Sequence, residues 1–468
     1  MPFFRGSLRR NFITPVRFQL AFLSLLAFGL IVGCSSDTRP DPTSTPIPTQ
    51  EPIPTAAVKP VELTVDELLS SIERSMEELR GIEKPPPVDH RFVDQAGMRE
   101  KLAEQLEDPE TLEQIDHEEV LFKLLGVIPQ DADLNAIYDS MFGSQVLGLY
   151  DPEKEEFFVL GDDSSGAESI DTEAQLTYAH EYVHRLQDAK FDLEVLKDLA
   201  DNDDMSLAIS AIIEGDATSA QSQYMLANYD FLELSELLET TLARQEELPD
   251  IPHFLEQSLQ FAYSDGVAFM SVILQLGEFA AVDAVFAKPP SSTEQILHPE
   301  KYLDKEEPIE LDIPDDGIQL SGWNIQAENV MGEFFLRTWL EAIGSVDAVE
   351  AAAGWGGDVY TVVESQETGE PGLVMTTAWD TAEDAKEFFT VLSEAMESNP
   401  KYVPAGRGIP GVLESWWGPG GYLVMSRWSS EGVDRVVIGH GSSVEIAQQL
   451  EMAGAYEFSD ETEITVLD

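Results

Sequence analysis

Apolar residues recur at helical spacing through most of the first 350 positions. The first clear run begins at Val65, where Thr64 and Glu67 have the spacing of a capping box, so a helix is predicted to begin there. Pro289 and Pro290 are predicted to end the last helix of a long helical region. Further helices are predicted at about 94–106, 116–125, 171–189, 204–226, 232–286 and 327–353.

Two stretches alternate at the spacing of strands instead. Residues 145–160 are two short apolar runs around Asp151-Pro152, which predicts a β-hairpin. From Asp358 the order changes to ββαββα, which is typical of a small α+β unit with an antiparallel sheet. Its predicted strands are 359–363, 373–379, 421–428 and 434–439, and its predicted helices are 381–397 and 443–453. The predicted fold class is therefore α+β, with a mainly helical part before this unit.

The N-terminus has the pattern of an export signal. Residues 1–33 contain four arginines and no acidic residue, and an almost wholly apolar run ends just before Cys34. The junction resembles the bacterial lipobox, which implies that Cys34 becomes the lipid-bearing first residue; the alternative is an uncleaved membrane anchor. A Pro/Thr/Ser-rich stretch follows and predicts an extended tether.

The predicted organisation has four parts: a lipoprotein signal peptide (1–33), a tether (34–62), a mainly helical domain (63–353) and an α+β accessory domain (354–468). The lipid, attached to Cys34, would hold the protein to a membrane on the extracytoplasmic side of the cell envelope.

The charge and the cysteine content of the chain limit which partners and which metal ligands are possible. The chain has 27 Lys+Arg against 88 Asp+Glu, a formal net charge of −61, and a field of this sign repels phosphate backbones, so a nucleic-acid partner is not expected. An anionic membrane surface would not attract it either, which leaves the lipid as the attachment. Cys34 is the only cysteine, so a zinc site would have to use histidine and carboxylate ligands.

The first candidate metal-binding and catalytic residues lie in the predicted helix at 171–189. His180 and His184 are four residues apart, which places both imidazoles on one helix face where they can bind one metal ion, and Glu181 lies between them. The extended motif with a third histidine would need Gly at 187 and His at 190. The chain has Gln187 and Lys190 there, so that class is excluded.

A third ligand is available on the next helix. Glu214 follows His184 by 30 residues in an otherwise apolar helical stretch, where a carboxylate needs a partner such as a metal ion. Gly215 is predicted to allow this helix to approach the helix of the two histidines closely.

These residues resemble the gluzincin group of zinc metallopeptidases. The string AHEYVHRLQD followed by EGDA is also similar to uncharacterised bacterial envelope proteins of that type. The resemblance implies that His180, His184 and Glu214 bind Zn²⁺ and that Glu181 is the general base. Asp216 is then expected to hold one imidazole in its ligating tautomer.

A peptidase of this kind also needs a donor for the oxyanion of its transition state. His298, Tyr302 and Tyr263 are candidates, and spacing does not choose between them. The sequence thus predicts a lipid-anchored, extracytoplasmic zinc metallopeptidase that hydrolyses peptides or proteins. One alternative is an envelope binding or assembly protein in which the metal ion is structural. Another is that the motif arose by chance on a surface helix and binds no metal.

Overall fold

The structure is a computed structural model, and it describes residues 64–106, 109–152, 154–161, 170–245, 251–311, 313, 320–409, 413–430 and 433–455. The predicted signal peptide, Cys34 and the tether lie outside these residues.

Helices dominate the chain up to residue 304, as the periodicity predicts. They are α1 (Val65–Arg80), α2 (Gln95–Leu106), α3 (Pro109–Leu125), α4 (Leu134–Gln145), α5 (Thr172–Phe191), α6 (Leu193–Lys197), α7 (Asp203–Asn228), α8 (Phe231–Gln245), α9 (His253–Ala287), α10 (Thr293–Leu297) and α11 (Pro299–Asp304). The predicted capping box at the start of α1 is confirmed, because Thr64 Oγ1 accepts from Glu67 N while Thr64 N donates to the Glu67 carboxylate.

A small sheet accompanies these helices. The predicted hairpin is confirmed as β2 (Gly148–Asp151) and β3 (Glu156–Leu160), which pair antiparallel. An additional strand, β1 (Asp89–Val93), pairs parallel with β3, so the order is β1-β3-β2. The sequence analysis did not predict β1, because its five residues are too short and too polar to show an alternating pattern.

The central helices α7 and α9 cross at two glycines. A Cβ on Gly215 would lie 2.4 Å from the backbone of Gly266, and a Cβ on Gly266 would lie 2.3 Å from the carbonyl oxygen of Ala211. Gly215 does allow close approach, but to α9, and the prediction that it would face the histidine helix is wrong. Within the described residues, α9 is also the one helix whose length and apolar composition would suffice to cross a membrane.

The C-terminal part contains a seven-stranded antiparallel sheet. Its strands are β4 (Trp323–Asn329), β5 (Trp355–Ser365), β6 (Pro371–Trp379), β7 (Val403–Ile409), β8 (Leu413–Gly418), β9 (Gly421–Ser430) and β10 (Val433–Gly441), in the order β4-β5-β6-β10-β9-β8-β7. The helices of this part are α12 (Gly332–Ile343), α13 (Ala348–Ala352), α14 (Ala382–Ser398) and α15 (Val444–Ala455).

Two predictions for this part need correction. The ββαββα order omitted β4, β7 and β8. The predicted helix at 327–353 is in fact the end of β4 followed by α12 and α13. Since β4 pairs with β5 across residue 354, the boundary predicted there falls inside the unit that contains the sheet.

The helical part and the sheet share one apolar core. A single buried cluster contains Leu121 and Leu125 of α3 together with Trp339 of α12 and Met425 of β9. At the end of α3 the Leu125 carbonyl accepts hydrogen bonds from Trp339 Nε1 (3.1 Å) and from the Tyr402 hydroxyl (3.3 Å). The two parts are therefore packed together rather than joined by a linker alone.

Candidate metal centre

Helix α5 contains both histidines, and its central part is buried in the protein interior. The Asp171 side chain caps its N-terminus by accepting from Ala174 N at 2.8 Å. All residues from Leu176 to Gln187 are buried, so this helix is enclosed rather than amphipathic. The rings of His180 and His184 lie on one face of the helix, as the spacing predicts, and meet edge to face with centroids 4.6 Å apart.

Helix α7 brings Glu214 to the same point. Glu214 Oε2 lies 3.1 Å from His180 Nε2 and 3.6 Å from His184 Nε2, and the two Nε2 atoms are 3.0 Å apart. All three side chains are buried. The convergence of two imidazoles and one carboxylate expected from the sequence is therefore present in the fold.

The geometry of these three atoms fits a zinc ion. Zn–N and Zn–O bonds of about 2.0–2.1 Å in a tetrahedron put neighbouring donor atoms about 3.3 Å apart. The separations of 3.0, 3.1 and 3.6 Å bracket that value. Three protein donors also leave one tetrahedral position for a water or a substrate, which is the usual ligand count of catalytic rather than structural zinc sites.

Gln187 determines which nitrogen of His184 carries hydrogen. The Gln187 amide nitrogen donates to the Ile213 carbonyl oxygen (3.0 Å) and to Asp216 Oδ2 (2.9 Å), so the amide oxygen is left as an acceptor. That oxygen lies 2.9 Å from His184 Nδ1. Nδ1 is therefore the protonated nitrogen, and the Nε2 lone pair points to the candidate metal position.

Asp216 acts on His184 through Gln187 and not by direct contact. The sequence analysis expected it to hold an imidazole directly, but its carboxylate instead holds Gln187 and forms an ion pair with Arg80 (Nε to Oδ1, 3.0 Å). The Arg80 guanidinium lies between Asp216 and Asp283 and above the Phe279 ring. A chain of buried polar contacts thus connects the end of α1 to His184, a candidate metal ligand.

The protonation states favour metal binding. Burial lowers the pKa of His184 below its usual value despite the nearby Glu214 carboxylate, so its imidazole is neutral at neutral pH. Burial of Glu214 opposes ionisation, but the imidazoles of His184 and His180 outweigh it and lower the pKa of this carboxyl to about 2. A neutral imidazole at His184 and a carboxylate at Glu214 are the forms in which these two side chains bind zinc.

Glu181, the predicted base, is fully buried next to His180. Helix α1 covers part of α5, because the hydroxyls of Tyr178 and Tyr182 donate to Glu73 (2.9 Å) and Glu77 (2.7 Å) of that helix. Among the described residues, the side chains of the triad and of Glu181 are therefore shielded from bulk solvent.

The three candidate oxyanion donors differ in where their side chains lie relative to the triad. His298 Nε2 lies 2.9 Å from Glu333 Oε1, and the Tyr302 hydroxyl donates to the Lys288 carbonyl at 2.8 Å, so these contacts do not direct either side chain to the triad. The ring of Tyr263, by contrast, is nearly parallel to that of His180, with centroids 6.4 Å apart. Tyr263 is thus the candidate that the fold brings beside the site.

Two lysines bear on the electrostatics. Lys197 of α6 was not considered from the sequence. Burial lowers the pKa of Lys197 to about 8, although Glu214 and other nearby carboxylates favour its charged form.

A second acidic group, formed by Glu294, Glu306 and Asp380, has the spacing of a metal site, but the Lys301 ammonium contacts all three carboxylates. The place that a metal ion would take in this cluster is therefore already held by an ammonium group of the protein itself.

Comparisons with known proteins concern the C-terminal part. Residues 320–451 match a family model described as "Domain of unknown function (DUF8575)". This range runs from just before β4 into α15 and so coincides with the unit that contains the sheet. Neither the curated proteins nor the solved structures contain a match to the chain.

Proposed function

We propose that the protein is a zinc-dependent peptidase with His180, His184 and Glu214 as metal ligands and Glu181 as general base. The observation that carries the proposal is the meeting of three donor atoms from two helices at tetrahedral spacing, with one position left for a reactant. The HExxH order places the glutamate beside the first ligand, where the reaction needs a proton acceptor.

A bound zinc ion would supply Lewis acidity, which makes water a better nucleophile at neutral pH and polarises a peptide carbonyl. The protein's own groups would do the rest. Glu181 would accept a proton from the attacking water and return it to the leaving amine. Gln187 would keep His184 in the tautomer that presents Nε2, and the Tyr263 hydroxyl is our candidate donor to the oxyanion.

The predicted lipoprotein signal extends the proposal to location. We propose that Cys34 carries the lipid and that the folded part lies outside the cytoplasm, where its substrates would be peptides or unfolded proteins of the envelope.

The test is a comparison of Glu181→Gln with Glu173→Gln, a variant in the first turn of the same helix α5. With zinc bound, Glu181→Gln should lower the rate of hydrolysis of an unfolded fluorescent protein substrate by about 10²–10⁴-fold, because a general base contributes about that much. It should retain zinc, measured by metal analysis, whereas His184→Ala should lose it. An unchanged rate in Glu181→Gln would remove the proposed base.

The burial of the triad favours one second candidate, a structural metal centre in a binding or assembly protein of the envelope. In that case the wild-type protein would bind zinc stoichiometrically and hydrolyse no substrate. His184→Ala would lower its melting temperature, while Glu181→Gln would change nothing measurable. The ligand count argues against this candidate, since structural zinc sites have four protein ligands as a rule.

A further inference from the structure

A second pocket lies where the helical part meets the sheet. Its volume is about 140 Å³, and it is bounded by α3, α4, α7 and α9 on one side and by β5 and α12 on the other. Most of its wall is apolar. The apolar lining residues are Leu121, Phe122, Met141, Leu207, Leu255, Leu259, Val330, Met331 and Phe335. The volume is close to that of apolar cavities that bind a benzene-sized molecule.

The carboxyl groups in the described lining of the pocket are not balanced by a basic side chain of that lining. Glu118 and Asp203 line it, and the Tyr138 hydroxyl donates to Glu118 Oε2 at 2.9 Å. Its described lining contains no lysine, arginine or histidine. Burial and the field of Asp203 raise the pKa of Glu118 to about 8. Glu118 is therefore largely protonated near neutral pH, and an ammonium group brought into the pocket would favour its ionised form, so that both carboxylates would accept charge-assisted hydrogen bonds, which are strong in an apolar setting.

We propose that this pocket binds a small apolar amine, with its hydrocarbon part against the phenylalanine and leucine side chains and its ammonium group at Glu118 and Asp203. An apolar acid would meet like charge, and a neutral molecule would gain only the burial of its hydrocarbon part. The shape and the charge of the pocket thus select the same class of ligand.

The pocket is separate from the candidate metal centre, although the same helices build both. Ser210 lines the pocket one turn of α7 before Glu214, and Leu259 lines it one turn of α9 before Tyr263. His180, His184 and Glu214 do not line it. Amine binding is therefore independent of the peptidase proposal, and its test is a binding measurement that requires neither zinc nor hydrolysis.

The experiment compares three ligands of nearly equal size by calorimetric titration of the full chain: 2-phenylethylamine, 2-phenylethanol and 3-phenylpropionate. The amine should bind at least about tenfold more tightly than the alcohol, because a charge-assisted hydrogen bond is worth more than a neutral one. The carboxylate should bind most weakly. Equal affinities for amine and alcohol, preference for the carboxylate, or no saturation by the amine at millimolar concentration would each overturn the proposal.

Substitutions in and near the pocket test whether the amine binds there. Glu118→Gln preserves size and the acceptor for Tyr138 but removes the charge, and it should abolish the preference for the amine over the alcohol. Glu113→Gln removes a charge from the exposed side of the same helix α3 and should leave that preference unchanged. If Glu118→Gln does not fold, Asp203→Asn provides the same test. Tight amine binding that survives both substitutions would place the ligand elsewhere and contradict the proposal.

Discussion

At the scale of single residues, the candidate centre depends on a glutamine as much as on its ligands. Gln187 has two acceptors for its amide hydrogens, Ile213 O and Asp216 Oδ2, and this leaves one orientation for its oxygen. An imidazole that rotates or changes tautomer loses its metal-directed lone pair. Gln187 therefore orients His184 for a metal ion through Nδ1, where an amide oxygen rather than a carboxylate is the partner.

Replacement of Gln187 by leucine should weaken zinc binding by about 10–100-fold, which is the usual effect of removing a group that orients a ligand. Zinc affinity is measured by competition with a chromogenic chelator. The matched control is Gln221→Leu, because Gln221 is also buried and donates to a backbone carbonyl, that of Leu176, which is not one of the groups that orient His184. A similar loss of affinity in both variants would show that general destabilisation, rather than orientation of His184, is responsible.

Sequence reasoning identified the three candidate ligands that the fold brings together, because the chemistry of each is local. His180 and His184 share a helix face at any position in the fold, and Glu214 stood out as a carboxylate in an apolar helix. Gln187, Arg80 and Asp283 were missed as a set, since their relation depends on how α1, α5 and α9 pack. Position 187 was considered only as a departure from another motif.

At the scale of elements, the crossing of α7 and α9 controls where Glu214 lies. The two helices touch backbone to backbone at Gly215 and Gly266, so neither position has space for a side chain. Any separation of the helices would also displace Glu214, which is adjacent to Gly215. The predicted metal geometry is thus linked to one helix crossing.

Gly266→Ala should therefore destabilise the protein by roughly 1–3 kcal/mol, as overpacking typically does, and should also weaken zinc binding. Gly277→Ala is the comparison variant in α9, at the kink where the backbone dihedrals are not helical, because a Cβ there meets the side chain of Ala281, at 3.3 Å, and no backbone atom of another helix. Urea unfolding and chelator competition would be measured for both variants. Gly266→Ala with wild-type stability and zinc affinity would contradict the close crossing.

Prediction of elements succeeded where burial creates a strong pattern. The helices α1, α2, α3, α5, α7, α8 and α9 and the central strands β5, β6, β9 and β10 are long and apolar enough for their period to show, whereas α4 and α6 were not predicted. The missed strands β4 and β7 are the two edges of the large sheet. Edge strands have a weaker apolar pattern, and Pro404 within β7 disfavours a strand assignment from sequence alone.

At the scale of the whole molecule, the joint between the helical part and the sheet is a buried, partly polar contact. His440 of β10 lies at this joint: its Nε2 donates to the Pro419 carbonyl at 3.1 Å, and a Cβ on Gly420 would be 3.4 Å from both the His440 ring and Leu124 of α3. Burial lowers the pKa of His440 to about 4. The folded protein therefore excludes a proton that the unfolded chain binds below about pH 6.5.

This difference gives the joint a defined response to acid. Because the folded-state pKa is lower than the unfolded one, the stability due to neutral His440 is complete above about pH 6.5 and is lost as the pH falls towards about 4. Between about pH 7.5 and about pH 5, the wild type should lose about 2 kcal/mol more stability than His440→Gln. Urea unfolding at both pH values measures the difference, in which the titration of the many carboxyl groups largely cancels. The exposed His253 provides the control, and a His253→Gln variant should follow the wild type. If His440→Gln also followed the wild type, the acid sensitivity of the protein would arise outside this joint.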